Sequence, residues 1–464
     1  MEYVGKCFNG EGVEVKNLRC KLIIAAVYVF LMFLLTLTVA LNSYAAESLT
    51  LEQAIGLSIR NNPGLRAADA QVDAASAGVE RALSGFLPRV TVTETWSKTD
   101  SPLMALGTKL NQELVTPADF NPAVMNNPDP ASNYNTRFLV MQPVFNGGRE
   151  YIGRTQAKLA HEASLQDRER ARQETQYNVI KAYYGLLLAK EYRKVAAQSL
   201  ETSAGNATLA EARYKAGAVL QSDLLRAKVQ YAEVKEMATR SENNVKLAMA
   251  GLNFAMGVSQ GSEYDISGTL SPQDRKVEMN SLIGEAEAGR PDLLSMGLNR
   301  KNADASVSMA RADYMPSLNL MGQVDWNSGK IGGDDAKSWA MMAVLQWNLF
   351  DGLATRSRTR EALAASGKMR ALEEQTRSAI QLQVRQSYYN ITASLDRIAA
   401  MSSSVREAEE GLRIVQRRYE TGMTTFVDVL GAESALIRAR TNELQALYDN
   451  NIAQAELKLA VGTL

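Results

Sequence analysis

The chain carries two copies of one unit. Residues 142–257 and 347–462 share landmarks at a single interval of 205 residues: Phe145 with Phe350, Tyr183-Tyr184 with Tyr388-Tyr389, Arg213-Tyr214 with Arg418-Tyr419, Gly217 with Gly422, Asp223 with Asp428 and Gly257 with Gly462. Upstream the interval becomes 228, pairing Asn62-Pro63 with Arg290-Pro291 and Phe86-Leu87-Pro88 with Tyr314-Met315-Pro316. The difference of 23 residues falls between Pro88 and Phe145, so the copies differ mainly in one loop. A period this long is no short solenoid repeat. It is a duplicated domain half, and two copies of one unit set the architecture.

The N-terminal region precedes the repeats. Residues 1–21 are polar and end basic (Lys16, Arg19, Lys21), residues 22–41 form an apolar run of 20, and the small residues of Asn42-Ser43-Tyr44-Ala45-Ala46 follow. Charge, apolar stretch and small-residue exit together indicate a Sec signal peptide over residues 1–46, cleaved after Ala45 or Ala46. The rival expectation is a retained membrane anchor, since the run is long enough to span. Both cysteines, Cys7 and Cys20, precede the run. A lipid attachment site would need one just after it, and a cleaved chain would rely on no disulfide.

No second apolar stretch of helix-spanning length follows residue 46. That fits a soluble periplasmic protein, and equally an outer-membrane β-barrel, whose strands carry a much weaker signal. The strand regions favour the barrel. In 316–327, Leu318, Leu320, Gly322, Val324 and Trp326 alternate with Asn319, Met321, Gln323, Asp325 and Asn327. In 338–350, Trp339, Met341, Ala343, Leu345, Trp347 and Leu349 share one parity. Each segment is about the length of a transmembrane strand, roughly 10 residues. A Gly/Asp-rich link joins them as a hairpin. The first copy has the same pair near 88–97 and 136–146, joined by a longer loop, 98–135, with Pro102, Pro117, Pro122, Pro128 and Pro130. All four tryptophans, Trp96, Trp326, Trp339 and Trp347, fall in these regions, as membrane-interface aromatics do; Trp also favours strands for their own sake.

The remainder reads helical. Residues 149–213 and 351–418 contain no proline and are rich in Ala, Glu, Gln, Arg and Leu, which are good helix formers. At 1.5 Å per residue each reaches about 100 Å. Arg213-Tyr214-Lys215-Ala216-Gly217 and Arg418-Tyr419-Glu420-Thr421-Gly422 close them, with a cation in the last turn and glycine just past it. An antiparallel helix follows at once, from Ser222-Asp223 to about Gly257 and from Thr425–Asp428 to about Gly462. Thr425-Phe426-Val427-Asp428 has capping-box spacing with Asp in place of Glu. Shorter helices near 50–85 and 281–312 are broken or kinked at Asn62-Pro63 and Arg290-Pro291. Each unit is therefore helix, strand, strand, long helix, turn, helix, and the division is 47–257 for the first repeat, 258–280 for a linking segment and 281–464 for the second. The fold class is mixed α+β, mainly α.

Four strands cannot close a barrel, and an open edge in lipid leaves backbone groups unpaired at several kcal/mol each. Two chains would give eight strands and a barrel filled by its own side chains; three would give twelve and room for a pore. The long helices carry charge along their length, for example Arg168-Glu169-Arg170 and Arg406-Glu407, and so project into the periplasm. Signal peptide, twofold repeat, strand hairpins, very long helices and R-Y-x-x-G turns together resemble the TolC family of outer-membrane efflux and secretion channels, over about residues 47–464, most specifically in Arg418–Leu430. The resemblance implies a homotrimer in the outer membrane of a Gram-negative bacterium, with a shared 12-stranded β-barrel. It also implies an α-helical barrel across the periplasm, whose tip opens when an inner-membrane transporter and a periplasmic adaptor (membrane fusion) protein dock. The chain would be a passive exit duct of a tripartite efflux pump or type I secretion system.

The sequence offers no catalytic constellation, metal site or cofactor motif: no P-loop, G-x-S-x-G or H-E-x-x-H, and one histidine, His161, placed mid-helix. Equal numbers of cations and anions, 51 each, give no net field toward nucleic acid. The informative positions are the helix turns at Arg213, Tyr214, Gly217, Arg418 and Gly422. By resemblance, Asp428 matches an aspartate lining the periplasmic constriction, where rotational symmetry would make a cation-attracting ring; Gly431 stands where some members carry a second aspartate. Tyr419 matches the tyrosine of a latch between the turns, with Ser222 and Asp223 as partners, and Thr424 stands where some members have a latch arginine. The plainer expectation is that Asp223 and Asp428 complement helix dipoles and that the glycines only end helices; for Asp428 both roles are compatible. A competing function is an inner-membrane-anchored periplasmic coiled-coil structural or adaptor protein, which explains the helices but not the strands.

Overall fold

The computed structural model describes residues 48–273 and 278–464; the signal-peptide segment and its rival anchor lie outside them. In the first half, a short strand β1 (Ser48–Leu49) leads into α1 (Leu51–Asn61) and α2 (Pro63–Leu83). Strand β2 (Arg89–Thr99), helices α3 (Pro102–Asn111) and α4 (Pro122–Asn126), and strand β3 (Ala131–Asn146) follow, then the long pair α5 (Arg149–Lys215) and α6 (Gln221–Met256). The second half repeats the order. Strand β4 (Asp265–Ile266) pairs in parallel with β1. It is followed by α7 (Met279–Gly289), α8 (Pro291–Arg311), β5 (Ser317–Ser328), β6 (Ala336–Gln346), α9 (Ala354–Glu420) and α10 (Phe426–Val461). Helices α5 and α9 are both 67 residues long, about 100 Å.

The loop expected over 98–135 is more ordered than its prolines suggest. Pro102, Pro117 and Pro122 each open a helical turn, a position where a missing N–H costs nothing, and β3 begins five residues earlier than the sequence implies. Strand β6 stops at Gln346, so Trp347 lies in the connection to α9 rather than in the strand.

The repeat is visible in the core. One cluster gathers Ala54, Val179, Leu186 and Leu252. The other gathers their counterparts Leu282, Val384, Ile391 and Leu457. Each cluster sits where a broken helix pair meets the end of a long hairpin, and the break residues hold that joint. The Asn62 amide donates to the Ala255 carbonyl at 3.0 Å, and the buried Arg290 guanidinium donates to the equivalent Ala460 carbonyl at 3.2 Å. Arg290 is 2% exposed, and its charge is met by Asp292 and Gln383, as a buried cation requires. Gly257 and Gly462, both in the left-handed region, close the same joint. A Cβ on Gly257 would lie 2.7 Å from the Asn61 carbonyl oxygen and the Asn62 Cα, so only glycine fits.

The four long strands form one antiparallel sheet, ordered β2-β3-β5-β6. Its register fixes two faces. Val92, Phe138, Val324 and Trp339 stand in one cross-strand row, and Val90, Val140, Gly322 and Met341 in another on the same side. On the opposite side, Thr93, Arg137, Asp325 and Ser338 form a row, beside Thr95, Asn135 and Asn327. The apolar side lies open, with Trp339 at 72% and Met341 at 80% exposure.

Candidate functional site

At the end farthest in sequence from the strands, both hairpins turn. The α5 helix closes with Gly217 at φ +72° and bonds from Ala218 N–H to the Arg213 carbonyl and from Gly217 N–H to the Tyr214 carbonyl. The α9 helix closes identically through Gly422 at φ +77°, Met423 and Arg418. This is the Schellman arrangement that R-Y-x-x-G encodes. Added Cβ atoms at either glycine meet nothing, so these two residues serve the backbone turn alone.

The two turns pack on each other through an apolar cluster of Ala210, Leu224, Ala227, Phe426 and Val429, flanked by Tyr419. The sequence singled out the polar residues here and missed Phe426, which is 4% exposed. Its position just after the N-cap Thr425 was the available signal. Tyr419 contacts Phe426 with ring centroids 5.5 Å apart. The Arg213 guanidinium lies 4.9 Å from the Tyr419 centroid, so the cation bridges from one turn to the other. Among the described residues, Tyr419 makes no hydrogen bond to Ser222 or Asp223. Ser222 is exposed and Asp223 half-buried in the first turn of α6, which has no side-chain cap. Tyr214 and Arg418, the counterparts of Tyr419 and Arg213, face solvent.

Asp428 is held firmly. Its carboxylate accepts from the Thr424 hydroxyl at 2.6 Å, the Thr425 hydroxyl at 2.7 Å and the Thr425 N–H at 3.0 Å, completing the capping box that the spacing anticipates. The Thr424 hydroxyl, then the Thr425 hydroxyl and N–H, hold the Asp428 carboxyl down at about 2, so it is ionised at any physiological pH. Thr424 thus serves the aspartate. One further group was not legible: Glu433, 6% exposed, lies between the hairpins and accepts from the Asn206 amide at 2.6 Å. Burial pushes its carboxyl up, against that hydrogen bond.

At the other end, Trp96 and Trp339 stand exposed on the apolar side of the sheet. Trp326 shares that side, with the Lys337 ammonium 5.5 Å from its ring centroid. Trp347 lies beyond the opposite end of β6, its indole N–H donating to the Tyr314 carbonyl at 3.0 Å, beside the exposed Leu349 and Phe350. The 11 residues of β6, at about 3.3 Å each and tilted by roughly 40° as in a barrel, span about 25–30 Å, the height of an outer-membrane apolar band.

A two-faced sheet carrying a duplicated pair of 67-residue helices points to one family, and the model of that family, outer membrane efflux protein, matches residues 54–258 and 282–463. The chain belongs to the outer membrane efflux protein family. Among relatives, it is 26% identical to the outer membrane protein TolC of Escherichia coli over 62% of this chain, a match that spans 61% of that relative's length. It is 25% identical to the proteases secretion protein PrtF of Dickeya chrysanthemi over 93% of this chain and 92% of that protein. The fold is that of the Campylobacter jejuni CmeC outer membrane channel, with a TM-score of 0.78 at 16% identity, covering 89% of this chain and 85% of that one. The fold shared with these structures is mainly helical with an antiparallel strand domain.

Proposed function

We propose that this efflux-family chain works as a homotrimer in the outer membrane of a Gram-negative bacterium, three four-stranded sheets closing one 12-stranded barrel. The observation that carries this is the sheet itself: its edges β2 and β6 are unpaired among the described residues, one side is largely apolar and exposed, and the other carries Thr93, Thr95, Asn135, Arg137, Asp325 and Asn327 toward the hairpin end, with Leu139, Met141 and Met342 further along. Exposed apolar residues in lipid, polar residues around water, and edge-to-edge pairing satisfy every strand at once. Dimeric closure would make eight strands with no open lumen.

The helical hairpins then line a periplasmic duct, and the Arg213–Tyr419–Phe426 cluster holds its tip. Asp428, repeated by the symmetry, forms an anionic ring there that favours cations. The energy for transport comes from partners: an inner-membrane transporter, joined through a periplasmic adaptor (membrane fusion) protein, draws the tips apart. The chain is a passive conduit of a tripartite efflux pump or a type I secretion system, and no catalysis is assigned to it; the secretion name of the relative PrtF supports the second setting. The rival adaptor function leaves the two-sided sheet without a use. Planar-bilayer recording of the purified protein tests the proposal: discrete cation-preferring channels are expected, and a protein that never conducts overturns it.

A further inference from the structure

The long first-repeat connection does not extend away from the sheet. Helix α3 folds back over it, and the side it covers is the polar one. Gln112, at the end of α3 and 5% exposed, donates from its amide to the Ser132 carbonyl and to the Asn133 side chain, both at 2.8 Å. Asn133 in turn donates to Asn327 at 2.8 Å. Asn135 joins Asn327 to Asp325, each at 3.1 Å, and Asp325 also receives Arg137 and Gln323. Residues 133, 135, 325 and 327 share the parity opposite to Phe138, Val324 and Trp339. The helix is therefore pinned to the face that looks away from lipid.

Two observations make this a built contact. Asn133, Asp325 and Asn327 are 4–8% exposed in the single chain, although a water-lined wall would leave such side chains wet. Their mutual hydrogen bonds satisfy them, as burial demands. Ala105 in the middle of α3 is fully buried, and α3 reaches as far as β6, where Ala336 on the same face is 5% exposed. The helix thus crosses the sheet's polar face near the hairpin end, with Leu103 and Met104 left open. Beyond it, Lys109 and Asp119 pair at 2.8 Å, and that lysine, with Thr116, holds the Asp119 carboxyl down at about 2, tying the rest of the segment down. The second repeat has only residues 329–335 at this place and no such cover.

We infer that residues 100–130 form a size filter at the outer mouth of the channel, one inward-folded segment per chain, pinned to the lumenal wall through Gln112. This rests on the barrel proposed above, in which the polar face is the lumen. Three copies narrow the exit at the end opposite the periplasmic tip, so the mouth limits the width of what leaves and Leu103 and Met104 present apolar surface to it.

The test compares three full-length proteins in planar bilayers, each carrying Tyr419→Ala so that the periplasmic tip does not limit the current: the otherwise natural chain, a chain with residues 100–130 replaced by residues 329–335, and Gln112→Ala, which keeps the segment and removes its pin. Because β2 and β3 remain paired from Thr99 and Ala131 outward, the exchange leaves the hairpin strands intact; should it fail to fold, Gln112→Ala gives the same readout. Conductance and the largest poly(ethylene glycol) that enters are measured. A several-fold rise in conductance and passage of larger polymers in the exchanged chain, with a smaller rise or open–closed flicker in Gln112→Ala, is expected. An otherwise natural chain that conducts with the same conductance and polymer limit as both variants overturns the filter while the channel stands. Absence of conduction in all three overturns the channel and the filter together.

Discussion

Arg213 and Tyr419 join the two helical turns, the guanidinium 4.9 Å from the ring centroid, although they occupy non-equivalent places in the repeat. The counterpart of Arg213 is Arg418 and that of Tyr419 is Tyr214, and both counterparts are exposed. The two turns therefore meet through different faces, and the same dipeptide supplies a cation from one turn and a ring from the other.

This arrangement depends on the ring and not on the phenol hydroxyl. Exposed cation–π pairs contribute about 0.5–1 kcal/mol, and Tyr419 also packs on Phe426. Tyr419→Phe is expected to leave the closed-state conductance unchanged, while Tyr419→Ala and Arg213→Ala raise it or lengthen open events. A Tyr419→Phe protein as leaky as Tyr419→Ala would assign the latch to the hydroxyl.

Asp428 should set ion preference over a wide pH range. Its pKa is depressed to about 2, so the charge, and the capping it provides, are present above the ordinary value of 3.8 and disappear only as pH falls through about 2. Reversal potentials in a salt gradient should show cation preference at pH 7 in the natural protein, and a weaker preference in Asp428→Asn. An unchanged potential in the variant would count against the ring.

Glu433 acts in the opposite sense. Its folded pKa is raised by burial, so its protonated form suits the interface, and that contribution is complete below 4.5 and lost as pH rises through the raised value. Glu433→Gln keeps an acceptor for Asn206 without the charge. It should raise the thermal midpoint by a few degrees at pH 7 and by nothing at pH 4. A lower midpoint at pH 7 would mean that the charge itself stabilises the hairpins.

The glycines fall into two classes. Gly217→Ala and Gly422→Ala meet no neighbouring atom and cost only the left-handed backbone, about 1–2 kcal/mol. Gly257→Ala adds overpacking against the Asn61 and Asn62 backbone, about 1–3 kcal/mol more. Thermal midpoints of the purified variants should rank accordingly; equal losses would contradict the close approach.

Much of this architecture was legible because it is periodic. The interval of 205 residues, strand alternation and the R-Y-x-x-G turns all report local geometry, so the helices and the two-faced sheet could be read within a few residues. Pairings between distant segments could not. Nothing local distinguishes Arg213 as the partner of Tyr419, or Gln112 as the partner of Asn133, because each contact exists only after the hairpins or the connection have folded back. The prolines of 98–135 suggested an irregular loop, yet proline at a helix start is as favourable as in a turn. Trp347 misled by parity alone, since alternation continues to Leu349, past the last ladder pair of β6 at Gln346.

No single chain can close such a barrel with four strands. The native mass of the protein extracted in mild detergent from outer membranes tests it most directly. Three chain masses are expected, from three sheets joined β2 to β6. A monodisperse monomer would contradict the account, because four strands with two open edges cannot enclose a pore.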